Sequence, residues 1–301
     1  MKRYRKIKFS FSALFWGVVL ILMTMFIYAS GVIQNMWKRP AQLNYATQKS
    51  EENIIIEDSI EKSVYLASKD LWYTGITEKS DITSITITPG FPRTPSVEAG
   101  ERIETWDASE MQNGRITCQV IGTELYIYTH GADKILLNVD ASYTFAGFSS
   151  VSEIYGLELL DTSETANMYW MFGDCDKLRE IKIPLSWDTG KVQNMSYMFY
   201  NNASLKMVDI NNLDMSAVVD MSYMFGFCSA IDTLDVSSWT IERMSSVCTR
   251  SQMFMQTGIA DFSLKVRDAK MAAWMKGDPT TAQNNTMLRK DTNIIEQNHA
   301  P

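Results

Sequence analysis

Three aspartates recur at one position of a repeated sequence pattern and could act as paired carboxylates. They are Asp161, Asp188 and Asp214, and carboxyl groups on one face are the arrangement that glycoside hydrolysis uses. An aspartate followed by Thr or Ser in a turn also accepts hydrogen bonds from its own backbone. That structural role accounts for all three carboxylates, so the sequence predicts no catalytic residue.

The remaining reactive residue types form no motif of known chemistry. His130 and His299 are the only histidines and lie far apart in the chain. The sequence holds no Ser/His/Asp grouping, glycine-rich phosphate loop, zinc-ligand spacing or EF-hand loop. The prediction is a protein that is not an enzyme and that needs no metal or cofactor.

Four cysteines, Cys118, Cys175, Cys228 and Cys248, could form two disulfides in an exported chain. However, Cys175 and Cys228 occupy the same repeat position, with Asn202 at that position in the unit between them. Strands that are two units apart in a stack lie about 9.6 Å apart, whereas a disulfide needs Cα atoms within about 7 Å. The sequence therefore predicts free cysteines and a buried Cys175/Asn202/Cys228 ladder that satisfies backbone groups of the loops.

The repeat itself covers residues 142–264 and is anchored by five pairs of residues at spacings of 27, 27, 26 and 29. The anchors are Thr144-Phe145, Met171-Phe172, Met198-Phe199, Met224-Phe225 and Met253-Phe254. Each is followed by an apolar triplet whose last two members alternate, as in a half-buried strand. One short strand per unit of about 26 residues cannot bury its own apolar face, so the units must stack in parallel. We therefore expect a β/α solenoid of leucine-rich-repeat type with about five units.

The anchors and triplets define a predicted interior, and the many methionines suit it because an unbranched thioether packs well against aromatic rings. The predicted core residues are Phe145, Met171, Phe172, Leu178, Ile181, Ile183, Met198, Phe199, Leu205, Val208, Ile210, Met224, Phe225, Ile231, Leu234, Val236, Met253, Phe254, Ile259, Phe262 and Leu264.

Two of the repeats, at residues 194–199 and 220–225, also resemble a known family. Their Asn/Asp-Met-Ser-Tyr-Met-Phe phrases, with Trp187-Asp188-Thr189-Gly190 before the first, are similar to the repeat of BspA-type leucine-rich-repeat surface proteins of bacteria. The last unit departs from the pattern, with Trp239-Thr240-Ile241-Glu242 and extra residues before Met253. The resemblance implies a surface protein that adheres to host extracellular proteins such as fibronectin and fibrinogen.

The N-terminal segment, residues 1–36, has the pattern of a membrane anchor. Residues 9–33 carry no charge and follow five basic residues, and as a helix they span about 37 Å, enough for a bilayer core of about 30 Å. Basic residues on that side keep the N-terminus in the cytoplasm. We expect a cell-membrane protein with an extracellular body, or a secreted one if cleavage occurs between Ala29 and Gly31.

The other segments are assigned from composition and pattern. Residues 37–70 predict a polar stalk with a helix at about 47–71, and residues 71–141 a β-rich N-terminal cap. The cap's predicted strands lie at 81–88, 115–121, 125–129 and 135–139. Residues 265–278 predict a C-terminal capping helix, and residues 279–301 a disordered tail.

The charge balance excludes one class of partner. The net charge is −7, but five basic residues lie before residue 9, which leaves 23 Lys and Arg against 35 Asp and Glu in the remainder. An acidic body does not suit nucleic acid. The predicted function is adhesion to, or interaction with, an extracellular protein or glycan. The alternatives are a structural or self-associating envelope protein and, less favoured, an envelope hydrolase that uses the aspartate row.

Overall fold

The computed structural model describes residues 63–69, 71–93, 100–240, 242, 244 and 247–297. Within these residues no helix is long and apolar enough to cross a membrane. This finding contradicts the predicted transmembrane helix and the localisation derived from it. The apolar run at residues 9–33, on which both predictions rest, lies outside the described residues, as does most of the predicted stalk.

The described elements are short strands joined by turns. The strands are β1 (Ser63–Tyr65), β2 (Ser84–Thr88), β3 (Ile103–Asp107), β4 (Thr117–Ile121), β5 (Glu124–Tyr128), β6 (Lys134–Leu136), β7 (Glu153–Tyr155), β8 (Leu160–Asp161), β9 (Glu180–Lys182), β10 (Met207–Asp209), β11 (Thr233–Asp235), β12 (Ser263–Val266) and β13 (Asn293–Glu296). The α-helix of the described part is α1 (Ala269–Lys276), and 3-10 turns occupy Lys79–Asp81 and Leu157–Leu159.

The N-terminal part forms a five-stranded sheet in the order β3-β4-β5-β2-β7. β3, β4 and β5 are antiparallel neighbours, whereas β2 runs parallel to β5 and β7. Apolar residues alternate along β2, β4 and β5, and burial alternates with them, because successive side chains point to opposite faces of a sheet. The sheet leads through β7 directly into the repeat region.

A second sheet corrects the prediction for the end of the stalk. β1 lies within the predicted helix at 47–71, but it is a strand that pairs in parallel with β6, which in turn pairs with β8. The ladder partners on β6 satisfy the backbone groups that a helix would have satisfied internally.

The repeat region does not form the predicted leucine-rich-repeat solenoid. Its strands fall into separate small sheets, β9 with β10 and β11 with β12 and β13, and no closed solenoid results. No α-helix is described within residues 142–240 or 247–264. Each unit instead contains residues with positive φ, such as Trp170 (56°) and Asp174 (59°), which end any helical run. The β/α solenoid prediction is therefore wrong.

Hydrogen bonds between turns and a column of rings hold successive units together. Single parallel bridges join Asp140, Asn167, Asn194, Asp220 and Thr249 in turn. Inside, the anchor phenylalanines stack with ring centroids 5.4 to 6.0 Å apart and nearly parallel planes. Full burial of each such side chain contributes about 1.5–3 kcal/mol, so this column is a main source of cohesion.

The predicted core residues lie buried, with one exception. Ile259 is 42% exposed. It follows Gly258, whose positive φ of 78° turns the chain, and the ring of Phe262 packs directly against that glycine. Phe262 fills the interior at this point, so Ile259 is left at the surface.

The C-terminal segment differs from its prediction. α1 begins at Ala269, after Asp268 accepts the Met271 N–H (2.8 Å), and it ends before Gly277. Lys265 and Val266, predicted to start this helix, belong to β12. Residues 279–297, predicted to be disordered, instead contain β13, which pairs in parallel with β12 because the open edge of β12 offers unpaired backbone groups.

Candidate functional site

The aspartate row has a structural role in each unit. Oδ1 of Asp161 accepts the N–H of Ser163 (2.9 Å). In the same way, Asp188 accepts the Gly190 N–H (3.0 Å), and Asp214 accepts the Ser216 N–H (2.9 Å). Each carboxylate therefore caps its own turn. In the part of the chain that the structure describes, no group of three or more His, Cys, Asp or Glu side chains could hold a metal ion.

His130 lies in the N-terminal sheet region, away from these aspartates in sequence. Its Nε2 is 2.7 Å from the Thr117 hydroxyl, and its ring contacts Phe91 and Tyr128. His299 lies outside the described residues. The structure thus gives His130 a hydroxyl and two aromatic rings as neighbours.

The Cys175/Asn202/Cys228 ladder lies in the interior beside the phenylalanine column. The Cys175 thiol donates to the Phe145 carbonyl (3.1 Å), and Cys228 donates to the equivalent carbonyl two units on (2.9 Å). Asn202 donates to the Phe172 carbonyl and accepts the Cys175 N–H, both at 2.8 Å. Burial raises the pKa of both thiols to about 12, and all four cysteines are free. These thiols are neutral hydrogen-bond donors.

A different set of side chains forms a continuous series of ring contacts along the repeat region, with Tyr143 exposed and the others partly buried. We call it the aromatic ribbon. Its members are Tyr143, Tyr169, Trp170, Tyr197, Tyr200, Tyr223 and Phe227.

Four ribbon residues occupy one repeat position with an unusual backbone. Tyr143, Trp170, Tyr197 and Tyr223 have φ values of 62°, 56°, 58° and 57°. The left-handed region is unfavourable for bulky residues, and holding one residue there costs on the order of 1–3 kcal/mol. The fold therefore keeps the same strained turn in five successive units, with an aromatic side chain on the first four and Gln252 (φ 54°) on the fifth.

The rings of these four residues form a stack. Ring centroids are 4.8 Å apart for Trp170 and Tyr197 and 4.6 Å apart for Tyr197 and Tyr223, with interplanar angles of 15° and 13°. Tyr143, 37% exposed, is 6.3 Å from Trp170 at 27°. The ring faces within the stack cover one another, so the ribbon offers solvent mainly ring edges and hydroxyl groups.

The hydroxyl groups of Tyr169, Tyr197 and Tyr200 stay protonated at physiological pH. Burial, followed by a hydrogen bond with Tyr143, raises the pKa of Tyr169 to about 12. Burial also raises the pKa of Tyr197 and Tyr200, with smaller contributions from neighbouring hydroxyls and carboxylates. None of the hydroxyls of the tyrosines at 197, 200 and 223 is enclosed without a partner within the described residues. They can both donate and accept hydrogen bonds.

Acidic and amide groups border the ribbon. Asp174 accepts the Trp170 Nε1–H (2.8 Å) and the Asn201 Nδ2–H (2.9 Å). These two bonds fix the indole in the stack. The Trp170 side chain is thus held in place by contacts within the chain.

Sequence reasoning missed this surface although a signal was present. An aromatic residue stands two positions before the anchor phenylalanine in four successive units, at 143, 170, 197 and 223. The prediction concentrated on the apolar anchors and left the ligand-binding residues unknown. The constant offset from the anchor shows that these aromatic residues align from unit to unit, but it does not show whether their side chains are exposed.

The ribbon and the ladder lie in one stretch of the chain. Residues 139–277 match a family model described as "Mycoplasma protein of unknown function, DUF285". Comparisons with curated proteins and with solved structures gave no match.

The similarity to this family covers the repeat region with its ribbon, ladder and aspartate row, and it excludes the five-stranded sheet except for β7. The description links the stretch neither to leucine-rich repeats nor to an activity. Together with the separate small sheets, this corrects the classification as a leucine-rich-repeat protein.

Proposed function

We propose that this protein is a binding protein whose repeat region mediates protein–protein interaction through the aromatic ribbon. One observation carries the proposal, namely the stack of aromatic side chains that four strained turns hold at the surface. Strain of this kind persists where the surrounding structure enforces it, and it clusters at functional sites.

The chemistry of the ribbon favours a protein partner. Tyrosine and tryptophan supply large, rigid, amphipathic contact area at low entropic cost, and they are enriched at the centres of protein interfaces. The stacking within the ribbon and the bond between Trp170 and Asp174 fix the side chains in advance, which lowers the cost of binding. A glycan ligand would need open ring faces, whereas here the ring faces cover one another.

The resemblance to BspA-type proteins makes fibronectin and fibrinogen the first partners to test. The aspartates that could have supported the alternative of hydrolysis each cap a turn. Adhesion is therefore the specific form of the interaction that we propose.

The test is a binding assay with the full-length chain, immobilised and titrated with fibronectin, fibrinogen and the chain itself. Tyr197→Ser should weaken saturable binding by roughly 30-fold, because a central interface aromatic contributes about 2 kcal/mol or more. The matched control is Tyr65→Ser, which removes a tyrosine that is 43% exposed but lies on β1, outside the ribbon.

Each outcome has a clear meaning. Binding that Tyr197→Ser weakens and Tyr65→Ser preserves supports the proposal. Binding that both variants preserve overturns it, as does the absence of saturable binding to any of these proteins. Binding to the chain alone would assign the ribbon to self-association instead of adhesion.

A further inference from the structure

The repeat region ends in a further layer that the repeat pattern does not show. The N–H groups of Arg250, Gln252 and Phe254 donate to the carbonyl groups of residues 283, 285 and 286, at 2.9, 2.7 and 2.9 Å. Bonds of this kind also join the earlier units to one another. Residues 283–297 therefore form the last layer of the stack in the described part of the chain, with β13 as its strand.

The turn of this last layer is closed by its own side chains. The Met287 N–H donates to Oδ1 of Asn285 (3.3 Å), and the Leu288 N–H donates to the hydroxyl group of Thr286 (3.4 Å). These N–H groups therefore need no further layer to satisfy them.

The strand of the last layer has an open edge. The N–H groups of Asn293 and Gln297 donate toward β12, at 3.1 and 2.9 Å. Alternate residues of a strand direct their backbone groups to opposite neighbours, so the groups of Ile294 and Glu296 point away from β12. Within the described residues no strand pairs with this side of β13.

Apolar side chains accompany the open edge. Leu288 and Ile294 pack against the core and are half-buried, Ile295 is half-buried on the opposite face of β13, and Met287 is 46% exposed. Unpaired backbone groups beside apolar side chains are a template for another strand.

The sequence of β13 is complementary to itself when two copies run antiparallel. A two-fold axis at Ile295 places this residue opposite Ile295 of the second copy, and Asn293 opposite the second copy's Gln297. The outward-pointing groups of Ile294 then exchange both backbone hydrogen bonds with the second copy's Glu296, and the symmetry-related pair does the same. Apolar and amide side chains thus meet their own kind on one face of the sheet.

The other symmetric registers fit less well. An axis at Glu296 would set two carboxylates directly opposite one another, which is unfavourable. An axis at Ile294 would place Glu296 opposite Thr292, whose N–H already donates to the Arg289 carbonyl (3.2 Å).

The charges at this end of the stack also suit a second copy. The exposed basic residues Arg289 and Lys290 are balanced by the exposed acidic residues Asp291 and Glu296. Two such surfaces carry no net charge and do not repel each other, whereas a strongly charged partner would find no complementary field.

We propose that this end of the repeat region binds a second copy of the chain through antiparallel pairing of β13 with the second copy's β13. The pairing joins two three-stranded sheets into one sheet of six strands, and it covers apolar surface of the last layer. The interface is the same patch on both copies, so the assembly closes as a dimer. It concerns a different surface from the ribbon and stands without it.

The first test is sedimentation equilibrium of the full-length chain over a concentration series. The mass should approach twice the monomer mass of 34.3 kDa. Ile295→Glu sets like charges opposite each other at the axis and should raise the dimer dissociation constant by at least about tenfold. The matched control is Met207→Glu on β10, which changes a side chain that is 59% exposed and should leave the dissociation constant unchanged.

A cysteine cross-link tests the register independently of stability. Residues opposite each other at the axis have Cα atoms about 4.5 Å apart, within disulfide range, so Ile295→Cys should give a disulfide-linked dimer on oxidation. Lys265 lies beside Ile295 on β12, but two Lys265→Cys positions would be three strand spacings apart, about 14.4 Å, and should not cross-link. The native cysteines are buried and contribute no background.

The proposal is overturned if the full-length chain stays a monomer, if the two glutamate variants associate equally, or if Lys265→Cys cross-links as readily as Ile295→Cys. Tyr197→Ser should leave dimerisation unchanged. Titration of the ribbon with the chain itself is therefore carried out in the Ile295→Glu background, so that each proposal can fail without the other.

Discussion

Replacing Asn202 by alanine is expected to destabilise the repeat region more than any exposed substitution. The Asn202 side chain is fully buried, and it pairs the Cys175 N–H and the Phe172 carbonyl, each at 2.8 Å. Alanine leaves both groups unpaired in the interior, where each costs about 1–3 kcal/mol. The free energy of unfolding should therefore fall by about 2–6 kcal/mol.

Asn202→Cys provides the informative comparison, because cysteine is the native residue one unit away on either side. A thiol at this position can donate to the Phe172 carbonyl, as Cys175 does to Phe145 at 3.1 Å. It is a poor acceptor for the Cys175 N–H. Only one group then stays unpaired, and the expected loss is about 1–3 kcal/mol.

The assay is urea unfolding, with the free energy obtained by linear extrapolation for the two variants and for Asn211→Ala. Asn211 is an exposed asparagine on the same coil, and its replacement should cost less than about 0.5 kcal/mol. The reasoning fails if Asn202→Ala also costs less than about 0.5 kcal/mol, since the two groups would then have found other partners. It fails equally if the cysteine and alanine variants have the same stability.

Two further predictions concern protonation. Burial by itself raises the pKa of Glu104, but hydrogen bonds from Thr77 and Ile76, together with Arg102, outweigh it and hold the pKa below its ordinary value. The resulting stability is present above the unfolded pKa of about 4.3 and is lost as pH falls through the folded pKa. The gap in unfolding free energy between wild type and Glu104→Gln should thus shrink between pH 6 and pH 3.5 in urea titrations, and a constant gap would contradict this. Burial raises the pKa of Cys175 and Cys228 to about 12. Iodoacetamide at pH 8, followed by mass spectrometry, should therefore label neither thiol in the native chain and both thiols in urea. Rapid labelling of the native chain would refute the assigned burial.

The buried residues of the repeat region could be predicted from the sequence because their spacing within each unit determines their burial. Apolar residues at constant offsets, such as Phe172, Phe199 and Phe225, must share one environment when units stack, and they lie in one column. The ladder followed from the same alignment. Ile259 is exposed although its position in the repeat predicts burial, because the last unit has a different length and turns at Gly258.

The architecture could not be derived in the same way. A period shows that units stack, but it does not show whether their strands pair continuously. That depends on local events such as the left-handed turn at Gly156, which follows β7, and the missing N–H of Pro184, which follows β9. Likewise, the pairing of β1 with β6 and of β13 with β12 joins segments that lack the repeat pattern, and neither segment's own sequence identifies its partner strand.

The hydrogen bonds between units also determine how this chain would respond to a pulling force. The Phe172 N–H donates to the Met198 carbonyl (2.9 Å), and the Phe199 N–H donates to the Met224 carbonyl (3.0 Å), so these bonds run from each unit to the next. A load applied between the two ends of the repeat region would open such contacts one unit at a time. Each unit of 26 to 29 residues would release roughly 90–100 Å of chain at about 3.5 Å per residue. The repeat region would act as an extensible element that lengthens in steps of one unit while the remaining units stay folded.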